Sequence, residues 1–252
     1  MNQFSLQERN ILISGASSGI GESCAIGCSK MGANIIAIGR NEERLESVYS
    51  KLTSGKHLSY SQDITQFDML EGLVKDAVSK LGKISGFIHS AGIELTLPLR
   101  SMNSQKYEAL FSTNVIAGFE IAKIVSKKKY LNPKGSSYVF ISSIMGEIGQ
   151  AGKVGYCSSK GAIIAGVKAM ALELVQKHIR VNSIAPAVIK TQMVEQLFDT
   201  IPDEAKSEIL KMHPMGLGST EDVANACIYL LSDASKWITG INMIVDGGYS
   251  AR

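Results

Sequence analysis

The stretch Ser14-Gly15-Ala16-Ser17-Ser18-Gly19-Ile20-Gly21 (SGASSGIG, residues 14–21) follows the apolar run Ile11-Leu12-Ile13 and leads into a helix-like segment, Glu22–Met31. It carries three glycines within seven positions. Glycine loses more conformational freedom on folding than any other residue, so a cluster of it between a strand and a helix needs a local reason. Such glycines permit a tight turn and leave the backbone bare enough for a pyrophosphate to approach. The helix N-terminus that follows presents unpaired N–H groups and a partial positive charge to the same ligand. A glycine-rich turn without a ligand reads the same in isolation, so the rest of the chain has to decide.

Working outward, short β-branched runs alternate with longer amphipathic segments along all 252 residues. The runs are Asn10–Ser14, Asn34–Gly39, Leu58–Ser61, Ile84–Ser90, Ser137–Ser142, Arg180–Ala185 and Asn242–Asp246. The helix-like stretches between them are Ile20–Met31, Glu42–Leu52, Gln66–Leu81, Gln105–Lys128, Gly155–His178 and Thr220–Leu231. Runs such as IIAI and GFIHSAG do not alternate polar with apolar, which is the pattern of parallel strands covered on both faces by helices. The expectation is a doubly wound α/β sheet of about seven parallel strands, in one domain over residues 1–252. Residues 191–218 break the rhythm. They carry Pro202 and Pro214 and an apolar set (Met193, Leu197, Phe198, Ile201, Leu210, Met212, Met215), and they are expected to form a substrate-binding lid.

Composition narrows the function classes. The formal charge is +3, too small to suggest a nucleic-acid partner. The four cysteines, Cys24, Cys28, Cys157 and Cys227, show neither metal nor disulfide grouping. They read as small buried apolar residues in a reducing cytoplasm, with no metal expected. The opening residues show no secretion signal, and no apolar stretch is long enough to span a bilayer.

The glycine spacing, G-x-x-x-G-x-G, resembles the T-G-x-x-x-G-x-G pattern of the short-chain dehydrogenase/reductase family, with Ser14 in place of the usual Thr. The resemblance covers essentially the whole chain. It implies a Rossmann-type fold and a dinucleotide held by Gly15, Ser17, Ser18, Gly19, Ile20 and Gly21. It also implies that Asp63-Ile64 contacts the adenine, that Ser90-Ala91-Gly92 lies against the adenosine ribose, and that Pro186, Ile189 and Thr191 face the nicotinamide. Two further stretches depart from the pattern. His89-Ser90 stands where most relatives have Asn-Asn, and Ala187 where they have Gly. His89 reads as a packing or capping residue, not a catalytic base, and Ala187 is expected to keep an ordinary backbone.

"YCSSK", Tyr156 to Lys160, places a phenol and an ammonium one helical turn apart on one face. A free phenol titrates near ~10, and a neighbouring cation favours its ionised form. The pair alone is commonplace. With Ser143, thirteen residues before Tyr156 in "VFISSIMG", it matches the family's catalytic spacing. Ser143 is then a hydrogen-bond donor to a substrate carbonyl, and Ser142 turns the opposite way on the strand. Asn114 in "STNVIAG" matches the family's helix asparagine, which is implied to hold a water leading to the lysine. Asn114, Ser143, Tyr156 and Lys160 are therefore the expected catalytic tetrad, with Tyr156 and Lys160 also touching the cofactor.

After the second run comes "IAIGRNEERLE". NAD-preferring relatives place an acid at the strand end, whereas Gly39-Arg40 stands here. Arginine can fork onto a 2′-phosphate, with Asn41 as a possible helper, so NADP(H) is expected in preference to NAD(H). The resemblance is strongest to the 3-oxoacyl-acyl-carrier-protein reductases, which implies reduction of a β-keto thioester. Lys127, Lys128, Lys129, Lys134 and Lys177 are candidates for a basic docking patch for the acidic carrier. The alternatives are a ketone reductase acting on a sugar, steroid or polyketide-like substrate, or a cofactor-binding regulator without turnover, against which the intact tetrad argues. The family also implies self-association, as homodimer or homotetramer, through the two longest helices.

Overall fold

The computed structural model describes residues 2–53 and 55–251, apart from the side chains at 193, 196 and 197. The reading of Met193 and Leu197 as lid surface therefore lies outside the described residues. Seven strands form one parallel sheet: β1 (Asn10–Ser14), β2 (Asn34–Gly39), β3 (Leu58–Ser61), β4 (Gly86–His89), β5 (Ser136–Ile141), β6 (Ile179–Pro186) and β7 (Asn242–Val245). Their spatial order is β3-β2-β1-β4-β5-β6-β7. The order reverses between β1 and β4, and a doubly wound sheet opens its ligand crevice at such a point, outside the carboxyl ends of the strands. This is the Rossmann-type architecture expected from the strand pattern.

Each strand divides its side chains between two cores, because successive residues point to opposite faces. Leu12, Ile36, Ile38, Phe87, Tyr138 and Phe140 face helices α3 (Phe67–Leu81), α5 (Ala117–Val125) and α6 (Val154–Leu174). Ile11, Ile13, Ile35, Ile88 and Val139 face α1 (Gly19–Lys30) and α9 (Thr220–Leu231). Cys24, Cys28 and Cys227 are fully buried in the second core, where they serve as small apolar residues. Two faces of comparable apolar content explain why the strands read as continuous hydrophobic runs.

Two elements differ from the sequence expectation. The stretch read as one helix, 105–128, is α4 (Ser104–Phe111) joined to α5 by a π-turn over Ser112–Ile116. The segment 191–218, read as a lid with no element assigned, contains a pair of helices, α7 (Gln192–Thr200) and α8 (Asp203–Lys211). A short helix α2 (Glu42–Tyr49) follows β2. Among the described residues no helix is long and apolar enough to cross a membrane.

Candidate active site

The carboxyl ends of the strands enclose a cleft of about 970 Å³, lined by the glycine loop, the loop after β4 and the first turns of α6. A cavity of this size suits a dinucleotide and part of a second ligand. Gly15 has φ +74°, and a Cβ there would stand 2.6 Å from the Ala91 backbone; a Cβ at Gly21 would stand 2.1 Å from the Gly15 carbonyl. These two glycines let the loop fold against β4 and against itself. Gly21 acts from behind and does not line the cleft. Ser17, Ser18, Gly19 and Ile20 do line it. The first helical bond runs from Glu22 N to Ser18 O, so the N–H groups of Gly19 and Ile20 precede it. A bare backbone at a helix N-terminus is the right donor set for a pyrophosphate, and the residues present fit a dinucleotide.

At one end of the cleft, a Cβ on Gly39 would meet the Ser17 side chain at 2.9 Å, so the strand end has no room for an acid. Arg40 and Arg44 line the wall there. Arg44 escaped the sequence reading, since a charge in a helix's first turn reads as solvated surface. Asn41 does not line the cleft. Its side chain accepts from Arg44 N at 2.8 Å and caps α2, which is a correction to its expected part in phosphate binding. Asp63 and Ile64 face the cavity. The Asp63 carboxylate accepts from Thr65 N and Oγ1 at 2.9 and 2.7 Å, and those bonds, with Arg40 nearby, hold it below the usual carboxylate range.

At the other end, Ser143, Tyr156 and Lys160 line the cleft together with Ser90, Ala91, Gly92, Pro186, Ile189 and Thr191. The Ser143 hydroxyl beside Tyr156 acts to lower the pKa of its phenol. Ser142 is spent elsewhere, donating to Ile184 O at 2.8 Å and bonding Asn242 Oδ1 at 2.9 Å. The Lys160 ammonium lies 5.6 Å from the Tyr156 ring centre and donates to Ile141 O at 2.9 Å. Burial pushes it down to about 8.

The phenol does not follow the expectation that the lysine lowers it. Burial first, and then the Glu94 carboxylate, push Tyr156 up to about 12. Glu94 is a second residue that no motif signalled. It lies on the cleft wall and pairs with Lys153 at 2.5 Å.

Asn114 sits behind this group, fully buried in the π-turn and off the cleft surface. Its Oδ1 accepts from Ile93 N at 2.8 Å, and its Nδ2 donates to Ile93 O and Ser159 Oγ, both at 3.0 Å. A Cβ on Gly92 would stand 3.4 Å from both Asn114 Oδ1 and Lys160 Nζ, so the two groups share one corner. His89 is buried and hydrogen-bonded. Ala187 is not among the residues of positive φ, so the missing glycine leaves an ordinary backbone there.

The lysines proposed for docking lie at the wrong end of their own chain. Lys127–Lys134 precede β5 and Lys177 precedes β6, so they mark the amino ends of parallel strands whose carboxyl ends form the cleft. Lys127 and Lys129 both pair with Glu71, at 2.7 and 2.8 Å. Lys177 reaches the Ser126 carbonyl at 3.5 Å, which places it at that same remote end.

Comparison with known proteins agrees with this geometry. Residues 15–250 match the family model described as enoyl-(acyl carrier protein) reductase. The 3-oxoacyl-[acyl-carrier-protein] reductase of Thermotoga maritima is 32% identical over 246 residues, covering 96% of this chain and 98% of that protein. The same reductase of Rickettsia bellii is 33% identical over 245 residues, covering 96% and 97%. Among solved structures, a 7α-hydroxysteroid dehydrogenase complexed with NADH and 7-oxo glycochenodeoxycholic acid superposes with a TM-score of 0.91, at 30% identity over 98% of this chain and 96% of that one. A putative short-chain alcohol dehydrogenase of Sinorhizobium meliloti 1021 gives a TM-score of 0.93 at 27% identity over 99% of both chains. With the glycine loop, the Ser143–Tyr156–Lys160 group and the reversed strand order on one cleft, the chain belongs to the short-chain dehydrogenase/reductase family of oxidoreductases.

Proposed function

We propose that the protein is an NADPH-dependent reductase of a β-keto thioester carried on an acyl carrier protein, working in the cytoplasm. The observation that carries this reading is one cleft lined by Ser143, Tyr156 and Lys160 at one end and by Arg40 with Arg44 at the other. The 3-oxoacyl-[acyl-carrier-protein] reductases at about a third identity supply the substrate class. Gly15–Ile20 would hold the pyrophosphate, Asp63 the adenine, Arg40 and Arg44 the 2′-phosphate, and Lys160 the nicotinamide ribose. When bound, the nicotinamide supplies the hydride.

The chain's own residues supply the proton and the orientation. Ser143 donates to the substrate carbonyl oxygen and draws it toward Tyr156. The phenol, kept protonated by burial, gives its proton to that oxygen as negative charge develops there. Lys160 holds positive charge beside the phenolate so formed and lowers the cost of releasing the proton. A neutral steroid ketone is the second reading, favoured by the 7-oxo steroid in the similar dehydrogenase.

The test is oxidation of NADPH by acetoacetyl thioester on a carrier protein and by a free oxo-steroid. Tyr156→Phe is expected to lower turnover by about 10²-fold or more while leaving NADPH affinity nearly unchanged. Near-normal turnover in that variant removes the assigned acid. Turnover of the steroid alone moves the substrate to the second reading.

A further inference from the structure

His89 ends β4, in register with Ser14 of β1 and Phe140 of β5, and is 1% exposed. Its ring makes two hydrogen bonds. Nδ1 lies 2.8 Å from Ser14 Oγ, and Nε2 lies 3.1 Å from the main-chain carbonyl oxygen of Asn114. A carbonyl only accepts, so Nε2 carries the proton and Nδ1 accepts from the Ser14 hydroxyl. One neutral tautomer satisfies both neighbours. Burial, with the Lys160 charge nearby, pushes the ring down to about 4, and the tautomer persists at neutral pH.

Both partners belong to the cleft's machinery. Ser14 opens the glycine loop. Asn114 lies in the π-turn, where Ala117 N reaches back to Ser112 O and the helical ladder slips by one residue. Such a slip leaves main-chain acceptors short of helical donors, and π-turns concentrate at functional sites for that reason. The imidazole N–H supplies a donor there. The ring also has a slot cut for it, since a Cβ on Gly118 would stand 2.6 Å from His89 Cδ2. The Asn114 side chain, fixed by Ile93 and Ser159, shares its corner with the Lys160 ammonium.

We propose that His89 is a positioning residue: it clamps the Asn114 carbonyl to the Ser14 hydroxyl, and so sets the π-turn, and through it the Asn114–Lys160 corner, against the glycine loop. The proposal deepens the reductase reading and rests on it for its kinetic consequence. It assigns the two ring nitrogens separate effects, because Nδ1 serves the cofactor loop and Nε2 serves the acid–base group.

Two substitutions separate them. An asparagine amide reaches about as far as Nδ1, and a glutamine amide about as far as Nε2. His89→Asn keeps a partner for Ser14 and loses the donor to Asn114. Its kcat is expected to fall about tenfold, the worth of one such bond, with the NADPH Kd within about twofold of the parent. His89→Gln keeps the donor, so kcat is expected within about twofold of the parent, while the Kd rises about fivefold. Amide hydrogen exchange over residues 112–117 gives a readout without turnover, with faster exchange expected in the Asn variant and parental exchange in the Gln variant.

Unchanged kcat and unchanged exchange in His89→Asn overturn the proposal. So do equal losses of kcat and affinity in both variants, which mark a purely structural residue. If the Asn variant does not fold, the Gln variant decides: parental kcat and exchange support the clamp, and loss of either overturns it. A parent enzyme that reduces no ketone sinks the reductase reading, and the exchange data then still judge the clamp.

Discussion

Arg40 and Arg44 set the cofactor question at the scale of single residues. Both line the cleft wall beyond Gly39, where an acid would collide with Ser17. A guanidinium facing a phosphate makes a charge-assisted contact worth ~1.5–3 kcal/mol. Arg40→Ala is therefore expected to weaken NADPH about 10- to 150-fold and NADH less than about twofold, with Arg44→Ala smaller in the same sense. Dissociation constants for both cofactors check this, and equal loss for both would make Arg40 structural. Arg40 stood out in the sequence because it follows Gly39 where the resemblance puts an acid in NAD-preferring relatives. Asn41 was misread for the opposite reason: an asparagine three residues before Arg44 is also an N-cap, and capping took precedence. Glu94 stayed illegible because a lone acid after β4 carries no spacing signal. Its influence on Tyr156 arises only when two loops, joined by the Leu97 N to Gly152 O bond at 2.7 Å, meet at the cleft.

Among the elements, β1, β2, β3 and α9 fall where the periodicity puts them, because each has a single buried face or a fully covered run. The π-turn in 104–125 was not legible, since a one-residue slip leaves the apolar spacing almost intact and depends on a donor from β4. The helices of 191–218 were obscured by Pro202. That proline, followed by Asp203 and Glu204, is in fact the start signal of α8. The segment is closed at its base by the Ile189–Gly218 bridge and the Lys190 N to Gly218 O bond at 2.8 Å. His213 adds a tether: Nε2 accepts from Val188 N at 3.3 Å and Nδ1 donates to Ile209 O at 2.6 Å. Thr191 and Val194 face the cleft. A helical pair tethered near its root is suited to open and close as a unit. Amide exchange over residues 192–211 is expected to slow when NADPH and a β-keto analogue bind, while the amides at 190 and 218 stay protected in both states. Equal protection of 192–211 with and without ligands would make the segment a fixed wall.

For the whole molecule, the misplaced lysines and the exposed face of α6 bear on one another. Tyr156 lies in the first turn of α6 and Lys177 just beyond its last, so the helix's 21 residues separate them by about 30 Å. A carrier held at Lys177 and Lys134 is thus remote from its own chain's cleft. Val154 and Leu172, 43% and 79% exposed, are about five full turns apart on one stripe of α6, with Ser158, Gly161, Ala165 and Ala169 between them. A second copy packed on that stripe about a twofold axis perpendicular to α6 would run antiparallel, which would set the lysine end of one protomer beside the cleft end of its partner. In such a pair the carrier attraction expected from the sequence would act between protomers. Lys134→Glu with Lys177→Glu is expected to raise KM for a carrier-bound β-keto thioester at low salt, to leave a free β-keto ester unchanged, and to lose its effect at high salt, where exposed charges beyond ~8–10 Å are screened. Mixing decides whether the effect crosses the interface. A Tyr156→Phe protomer with native lysines, co-assembled with the double-Glu protomer, should restore a low KM, because the inactive copy supplies the docking charge to the active one. A KM that stays high in the mixed assembly confines docking to a single chain. A parental KM in the double-Glu protein removes these lysines from carrier recognition altogether.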